Sequence, residues 1–380
     1  MSLLSLDQRD SKFSLLDKLA RINWLIVLAI CAIAGIGVAA LYSVAGGAFD
    51  PWASRQAIRF LVALGVLLAV ALIDIRVWMN LAVPIYLAAL GLLILVEIAG
   101  VAGGGGQRWI DLKFMRLQPS ELMKVAIVMV LARYYHGLTM EQAERVGSVA
   151  LPLLLIAMPA VLIVVQPDLG TTVLVVAGGV GVVFLAGARL LLFGLGAGAV
   201  LAAIPIAWQF LRSYQKDRIL TFLNPESDPL GAGYHIMQSK IALGSGGVGG
   251  KGFLQGTQSH LNFLPEMHTD FIFTMLAEEM GMLGGLVLLG LYLLVIGYGL
   301  TAAISAKSQF GRLMAMGLSL TVFLYVFINI AMVMGLLPVV GVPLPLVSYG
   351  GSATFTVMIA LGLILNVAVH RDRAIPRRGH

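Results

Sequence analysis

The sequence predicts an all-α integral membrane protein of about ten transmembrane helices, with a large extracytoplasmic loop between the seventh and the eighth. Three observations carry this. Hydrophobic residues make up 59% of the 380 and charged residues only 12%, too few to cover a soluble surface. The apolar residues come in ten separated runs, most near the roughly 20 residues a helix needs to cross hydrocarbon. A backbone in lipid must satisfy its own hydrogen bonds, so such runs are helices. The 44 glycines agree, because small residues let helices approach closely in a membrane.

The runs are 24–45, 56–74, 77–98, 121–136, 148–166, 171–188, 190–211, 270–305, 310–336 and 351–370. The fourth is the weakest, since Glu121, Lys124 and Arg133 bracket a short apolar stretch. Residues 1–23 lack a compact signal-peptide pattern, and Leu15, Leu16 and Leu19 suit a segment lying along the membrane surface. Residues 24–370 then form one polytopic domain and 371–380 a tail. Cys31, the one cysteine, lies in the first run as a small packing residue.

The formal charge of +6 is spread over loops, which fits anionic lipid and membrane orientation better than nucleic acid. With the N-terminus inside, the inner loops hold Arg76, Arg133, Arg145, Arg189, Lys307 and Arg312, and each tail adds four basic residues. The short outer loops hold Arg55, Arg59, Arg108, Lys113, Arg116 and Lys124. The bias puts both termini in the cytoplasm; the long 212–269 loop is left out, because long loops cross whatever their charge. Three outer loops stand out. Loops 99–120 and 212–269 are polar and glycine-rich, and 337–350 is apolar and punctuated by Pro338, Pro343 and Pro345. The last is a candidate re-entrant segment, tolerable only if packed on protein.

Topology alone then gathers ionisable residues at the outer face. Glu121 and Lys124 open the fourth run one turn apart, Asp168 lies in the turn before the sixth, and Asp270 lies where the long loop enters the eighth. Ionisable groups near lipid depth are costly and mark functional sites. Each also has a structural explanation. Glu121 suits a helix's first turn, and Asp168 and Asp270 are both placed to cap a helix. Glu278 and Glu279 lie deeper and call for buried partners. His235, His260 and His268 lack the spacing of zinc ligands. The stretch Gly246 to Gly252 imitates a phosphate loop, but Ser245 replaces its first glycine and Gly252 its Ser/Thr, which leaves a flexible hinge as the expectation.

Five motifs then resemble the SEDS family (shape, elongation, division and sporulation) in order and location. They are Arg108-Trp109-Ile110; Gln118-Pro119-Ser120-Glu121; Pro167-Asp168-Leu169-Gly170; Leu264 to Phe273 followed by Ala277-Glu278-Glu279-Met280-Gly281; and Pro343 to Ser352. The resemblance covers about Trp24 to His370. Gly256-Thr257-Gln258-Ser259 and Leu337 to Pro343 are similar to the elongation branch rather than the division branch.

The resemblance implies a peptidoglycan glycosyltransferase in the bacterial cytoplasmic membrane. It would join lipid II to undecaprenyl-pyrophosphate-linked glycan on the outer face during rod-shaped elongation. That reaction needs a base for the acceptor hydroxyl, and Asp270 is the candidate, since a carboxylate in partly apolar surroundings gains basicity. Lys124, with Arg108, Arg116 or Arg212, would neutralise the pyrophosphate. Trp109 and His268 lie in the motifs beside them as substrate contacts. Glu121 and Asp168 would orient Lys124 or hold a divalent cation; the sequence leaves both open. The lipid pyrophosphate supplies the energy, so no nucleotide cofactor is required. The resemblance also implies a class B penicillin-binding protein as transpeptidase partner and other elongation-machinery membrane proteins. A lipid II flippase and a scaffold without activity are the alternatives. The first needs a charged inner cavity, and the second needs no converging carboxylates.

Overall fold

The computed structural model describes residues 14–103, 106–111, 116–210, 213–224, 232–257 and 266–377. A helix stands at each of the ten positions that the apolar runs predict. In chain order the helices are α1 (Leu15–Arg21), α2 (Trp24–Val44), α3 (Ala53–Leu72), α4 (Ile75–Ala99), α5 (Pro119–His136), α6 (Met140–Ala143) and α7 (Gly147–Val165). Then follow α8 (Leu169–Leu185), α9 (Leu190–Phe210), α10 (Ser213–Leu223), α11 (Ala232–Ser245), α12 (Ile272–Ser305), α13 (Gln309–Val333) and α14 (Gly351–Val369). Among the described residues, seven of these are long and apolar enough to cross a membrane: α2, α3, α4, α7, α12, α13 and α14. Helix α8 and the 190–206 part of α9 are apolar but shorter.

The weakness of the fourth run has a physical cause. Helix α5 buries fifteen of its eighteen residues against α4, α7, α8, α13 and α14, so its solvent is protein rather than lipid. A helix in that position can carry Glu121 and Lys124, because neighbours supply partners. Helices α13 and α14 complete this centre. Leu191, Leu195, Val200 and Leu201 of α9, by contrast, are exposed, as suits a lipid-facing element.

Three segments read as loops are more ordered than the sequence suggested. Segment 99–120 carries an antiparallel meander of β1 (Val101–Gly103), β2 (Gly106–Asp111) and β3 (Arg116–Leu117), with Val101 opposite Trp109 and Asp111 opposite Arg116. Segment 212–269 contains α10 and α11. Ser239 on α11 is fully buried, pairing with the Thr274 hydroxyl at 2.8 Å and donating to the Val333 carbonyl at 2.8 Å, which ties α11 to α12 and α13.

The third correction concerns the glycine stretch, which is a strap rather than a free hinge. Helix α12 breaks at Gly281, whose φ of 65° lies in the left-handed region that favours glycine. Its interrupted backbone bonds are taken over by the strap. Lys251 N–H and Gly252 N–H donate to the Glu278 and Glu279 carbonyls (both 3.0 Å), and Met282 and Leu283 N–H donate to the Gly247 and Val248 carbonyls (2.9 and 3.1 Å). A β-carbon at Gly250 would lie 2.0 Å from the Glu279 carbonyl oxygen, so only glycine permits this approach. Glu278 and Glu279, both buried, have the partners expected of them. Glu278 accepts from Lys251 Nζ at 2.6 Å and from the Thr257 amide at 3.0 Å, and Glu279 accepts from the Ser43 hydroxyl.

Segment 337–350 is irregular and packed on protein, as its apolar composition requires. Leu344 and Val347 are buried, the Ser348 hydroxyl donates to the Thr269 carbonyl at 2.6 Å, and the Tyr349 amide donates to the His268 carbonyl at 2.8 Å. At the opposite face the chain after α14 folds back. Arg373 pairs with Asp74, the N-cap of α4, and the Lys307 amide donates to the Arg371 carbonyl at 3.0 Å.

Candidate functional site

The site is built around one face of α13. Tyr325 and Asn329 are four residues apart in a mostly apolar helix, so they lie one above the other, about 5–6 Å apart at their β-carbons. Below, the Tyr325 hydroxyl donates to Glu121 Oε2 at 2.5 Å and accepts from Lys124 Nζ at 2.5 Å. Lys124 Nζ also donates to Glu121 Oε1 at 2.6 Å and lies 4.3 Å from the Tyr325 ring centroid. All three side chains are essentially shut off from solvent, Lys124 at 1% exposure. The ion pair is therefore desolvated, and the phenol satisfies valences that water would otherwise take.

Above, Asn329 donates through Nδ2 to the Asp270 carbonyl (3.0 Å) and the Val342 carbonyl (2.7 Å), pinning the turn before α12 to segment 337–350. The Asp270 amide donates to the Glu266 carbonyl at 3.1 Å, closing that turn. The half-buried Asp270 carboxylate faces Gly341, where an added β-carbon would sit 3.4 Å from Oδ2. Asp270 thus stands at the mouth, and the Glu121–Lys124–Tyr325 cluster forms the floor.

Asp168 joins from the side. Its Oδ1 accepts from the Thr171 amide at 3.1 Å, the helix cap expected of it, and its Oδ2 accepts from Gln118 Nε2 at 2.9 Å. It acts electrostatically on Tyr325. Arg108 on β2 donates to the Gln166 carbonyl (2.8 Å) and the Pro167 carbonyl (2.5 Å), fixing the turn that presents Asp168. The neighbouring Trp109 falls on the opposite face of that strand. Arg116 is exposed on β3. Arg212, and in the fourth motif Leu264 and Pro265, lie outside the described residues. Both oxygens of Glu121 and both of Asp168 are committed to the donors just named. Among the described residues no three His, Cys, Asp or Glu side chains come together as a cation cage.

The rim is aromatic. His268 stacks on Trp52 at 4.7 Å between centroids, Tyr349 flanks it at 5.9 Å, and the Arg59 guanidinium lies 4.7 Å over the Tyr349 ring. Burial pushes the His268 imidazole below its ordinary 6.5, and the exposed Glu266, 3.8 Å away, offsets part of that. A folded-state value below the unfolded one means stability is full above pH 6.5 and falls as pH drops through the folded value. The stack on Trp52 is expected to report this. Intrinsic tryptophan fluorescence should change below pH 6.5 in the wild type, and the transition should disappear in His268→Phe; its persistence there would assign it to another group.

Of the residues the sequence singled out, Glu121, Lys124, Asp168 and Asp270 lie together here; Tyr325 and Asn329, which connect them, were not singled out, and Gln118 was quoted in its motif without a role. A signal was present. A tyrosine and an asparagine at helical spacing inside an apolar span are polar groups that must find partners.

The chain and its fold have known relatives. The family model FTSW_RODA_SPOVE, described as cell cycle protein, matches residues 19–373. The chain is 50% identical over 313 residues to peptidoglycan glycosyltransferase MrdB of Escherichia coli (strain K12), covering 82% of this chain and 84% of that one. It is 35% identical over 363 residues to a probable peptidoglycan glycosyltransferase FtsW of Trichlorobacter lovleyi, covering 92% and 94%. Among solved structures, a chain described under structural coordination of polymerization and crosslinking by a peptidoglycan synthase complex superposes with a TM-score of 0.79. It is 32% identical, with 93% of this chain and 99% of that one covered. The rod shape determining protein RodA of Thermus thermophilus gives a TM-score of 0.69 at 29% identity, covering 93% and 98%.

Proposed function

The chain belongs to the family of cell cycle proteins that includes FtsW, RodA and SpoVE, and from that membership we infer that it is a peptidoglycan glycosyltransferase of the elongation type. It joins lipid II into glycan strands at the outer face of the cytoplasmic membrane, with both its termini in the cytoplasm. One observation carries the assignment of roles: the backbone of Asp270, whose carboxylate is half-buried, is held by Asn329 one turn of α13 above the buried and fully paired Glu121–Lys124–Tyr325 cluster.

Asp270 is the base. It takes the proton of the acceptor sugar hydroxyl as that oxygen attacks the anomeric carbon of the donor glycan. The bond to the undecaprenyl pyrophosphate breaks, and its electron pair leaves on the phosphate oxygen. Negative charge develops there, and preorganised cations stabilise it. Arg59, over the Tyr349 ring at the rim, and the exposed Arg116 on β3 are the cations for this purpose. Lys124 is spent on Glu121 and Tyr325, so it serves by holding α5 against α13 under Asp270 rather than by touching the pyrophosphate. Arg108 acts the same way on the Asp168 turn. The partner is a class B penicillin-binding protein that crosslinks the strands.

A flippase is the competing assignment, and the inner half of α13 speaks against it. Leu313, Met314, Leu318 and Val322 are buried there, and the Ser319 and Thr321 hydroxyls donate to carbonyls of their own helix at 2.7 and 2.9 Å. A head group crossing about 30 Å of hydrocarbon needs polar partners along the way. Protein in detergent, with no membrane to cross, is expected to polymerise labelled lipid II when its transpeptidase partner is present. Inactivity in detergent, together with Asp270-dependent head-group translocation in liposomes, would install the flippase instead.

A further inference from the structure

At the face where the two ends of the chain meet, α1, the start of α2 and the ends of α12 and α14 enclose a cavity of about 420 Å³. Arg21, Asn23, Tyr298, Arg371 and Asp372 line it. Two guanidinium groups against one carboxylate leave it net positive. Arg21 meets Asp372 at 3.1 Å, but both are exposed, 36% and 52%, so that pair is screened by water and yields easily to another anion. Arg371 and Tyr298 line the same cavity. Asn23 spends its side-chain oxygen on the Leu25 amide (3.2 Å), and this cap does not use its amide N–H groups. The Thr301 and Ser305 hydroxyls donate to carbonyls of their own helix at 2.8 and 2.7 Å, leaving them acceptors only.

The surroundings are lipid-facing. Trp24, Leu25, Leu300 and Ile304 near the cavity are exposed apolar side chains, Ile304 at 72%. Leu15 and Leu16 of α1 are exposed at 65% and 76%, as in a helix lying in the membrane interface. A positive polar basin set among acyl-facing side chains matches a phosphodiester head group whose chains run along the protein, and basic pockets between membrane helices recognise lipids in this way. We propose that this cavity binds the head group of an anionic phospholipid, with Arg371 as its principal cation and Arg21 released from Asp372 to join it. The site is independent of the glycosyltransfer chemistry and lies at the opposite face of the bundle.

The test is thermal unfolding of detergent-purified wild type, Arg371→Gln and Arg371→Lys, titrated with dioctanoyl phosphatidylglycerol, dioctanoyl phosphatidylcholine or inorganic phosphate. Phosphatidylglycerol should raise the wild-type Tm saturably. Arg371→Gln should need about tenfold more lipid for the same shift, as expected for one lost charge-assisted contact, and Arg371→Lys should recover part of it. An equal response in wild type and Arg371→Gln, or to phosphatidylcholine, overturns the site. A full response to inorganic phosphate alone overturns the lipid assignment. Should Arg371→Gln not purify folded, native mass spectrometry of the wild type decides: preferential retention of phosphatidylglycerol over phosphatidylcholine supports the site, and equal retention removes it.

Discussion

Purified Asp270→Asn is expected to run as monodisperse as the wild type and to make no detectable glycan, a loss of at least about a hundredfold. The two effects separate because backbone hydrogen bonds hold the turn. The Asp270 carbonyl is fixed by Asn329 and its amide by the Glu266 carbonyl, and neither changes when an oxygen becomes an amide nitrogen. What is lost is the capacity to accept a proton. The measurement is polymerisation of labelled lipid II with the transpeptidase partner present. A wild-type rate would remove Asp270 from the chemistry and return it to the role of a turn residue.

The second large effect lies at the floor. Glu121→Ala and Lys124→Ala are each expected to destabilise the purified protein by about 3–5 kcal/mol, because each leaves an uncompensated charge at a site with almost no solvent contact. The double variant should fall short of the sum by about 2 kcal/mol, since removing both charges removes the penalty that each single change exposes. Tyr325→Phe should cost less, about 1–3 kcal/mol, as it deletes one hydroxyl from the triangle. Thermal or denaturant unfolding in detergent measures all four proteins. Additive single effects would show that Glu121 and Lys124 act independently despite their 2.6 Å contact.

Much of the bundle was legible in the sequence because lipid imposes one strong rule, an apolar helix for each span, and α2 and α7 obey it without exception. The rule weakens where a helix is wrapped by protein. Helix α5 looked marginal because its polar residues answer to neighbours that are distant in sequence. The candidate site divides along the same line. Asp168, Glu121 and Lys124 were legible from topology, since charges at span ends are few. Their partner Tyr325 was not, and Gln118, though part of a quoted motif, had no visible link to Asp168, since no local pattern says which helix faces which. The meander at 101–117 was hidden for another reason: strands of two to six residues broken by glycines carry too little alternation to register.

The break at Gly281 gives α12 two halves that are not one rod. Each half is hydrogen-bonded to the same strap, the outer one through Glu278 and Glu279 and the inner one through Met282 and Leu283. The strap therefore acts as a splint, and the angle at which the outer half meets the membrane is set by a stretch more than twenty residues away in the chain. Asp270 stands just ahead of that outer half, so the placing of its carboxylate follows the splint. The segment that carries α10 and α11 leads directly into that strap, so the two are tied to the Asp270 end of α12 through backbone hydrogen bonds.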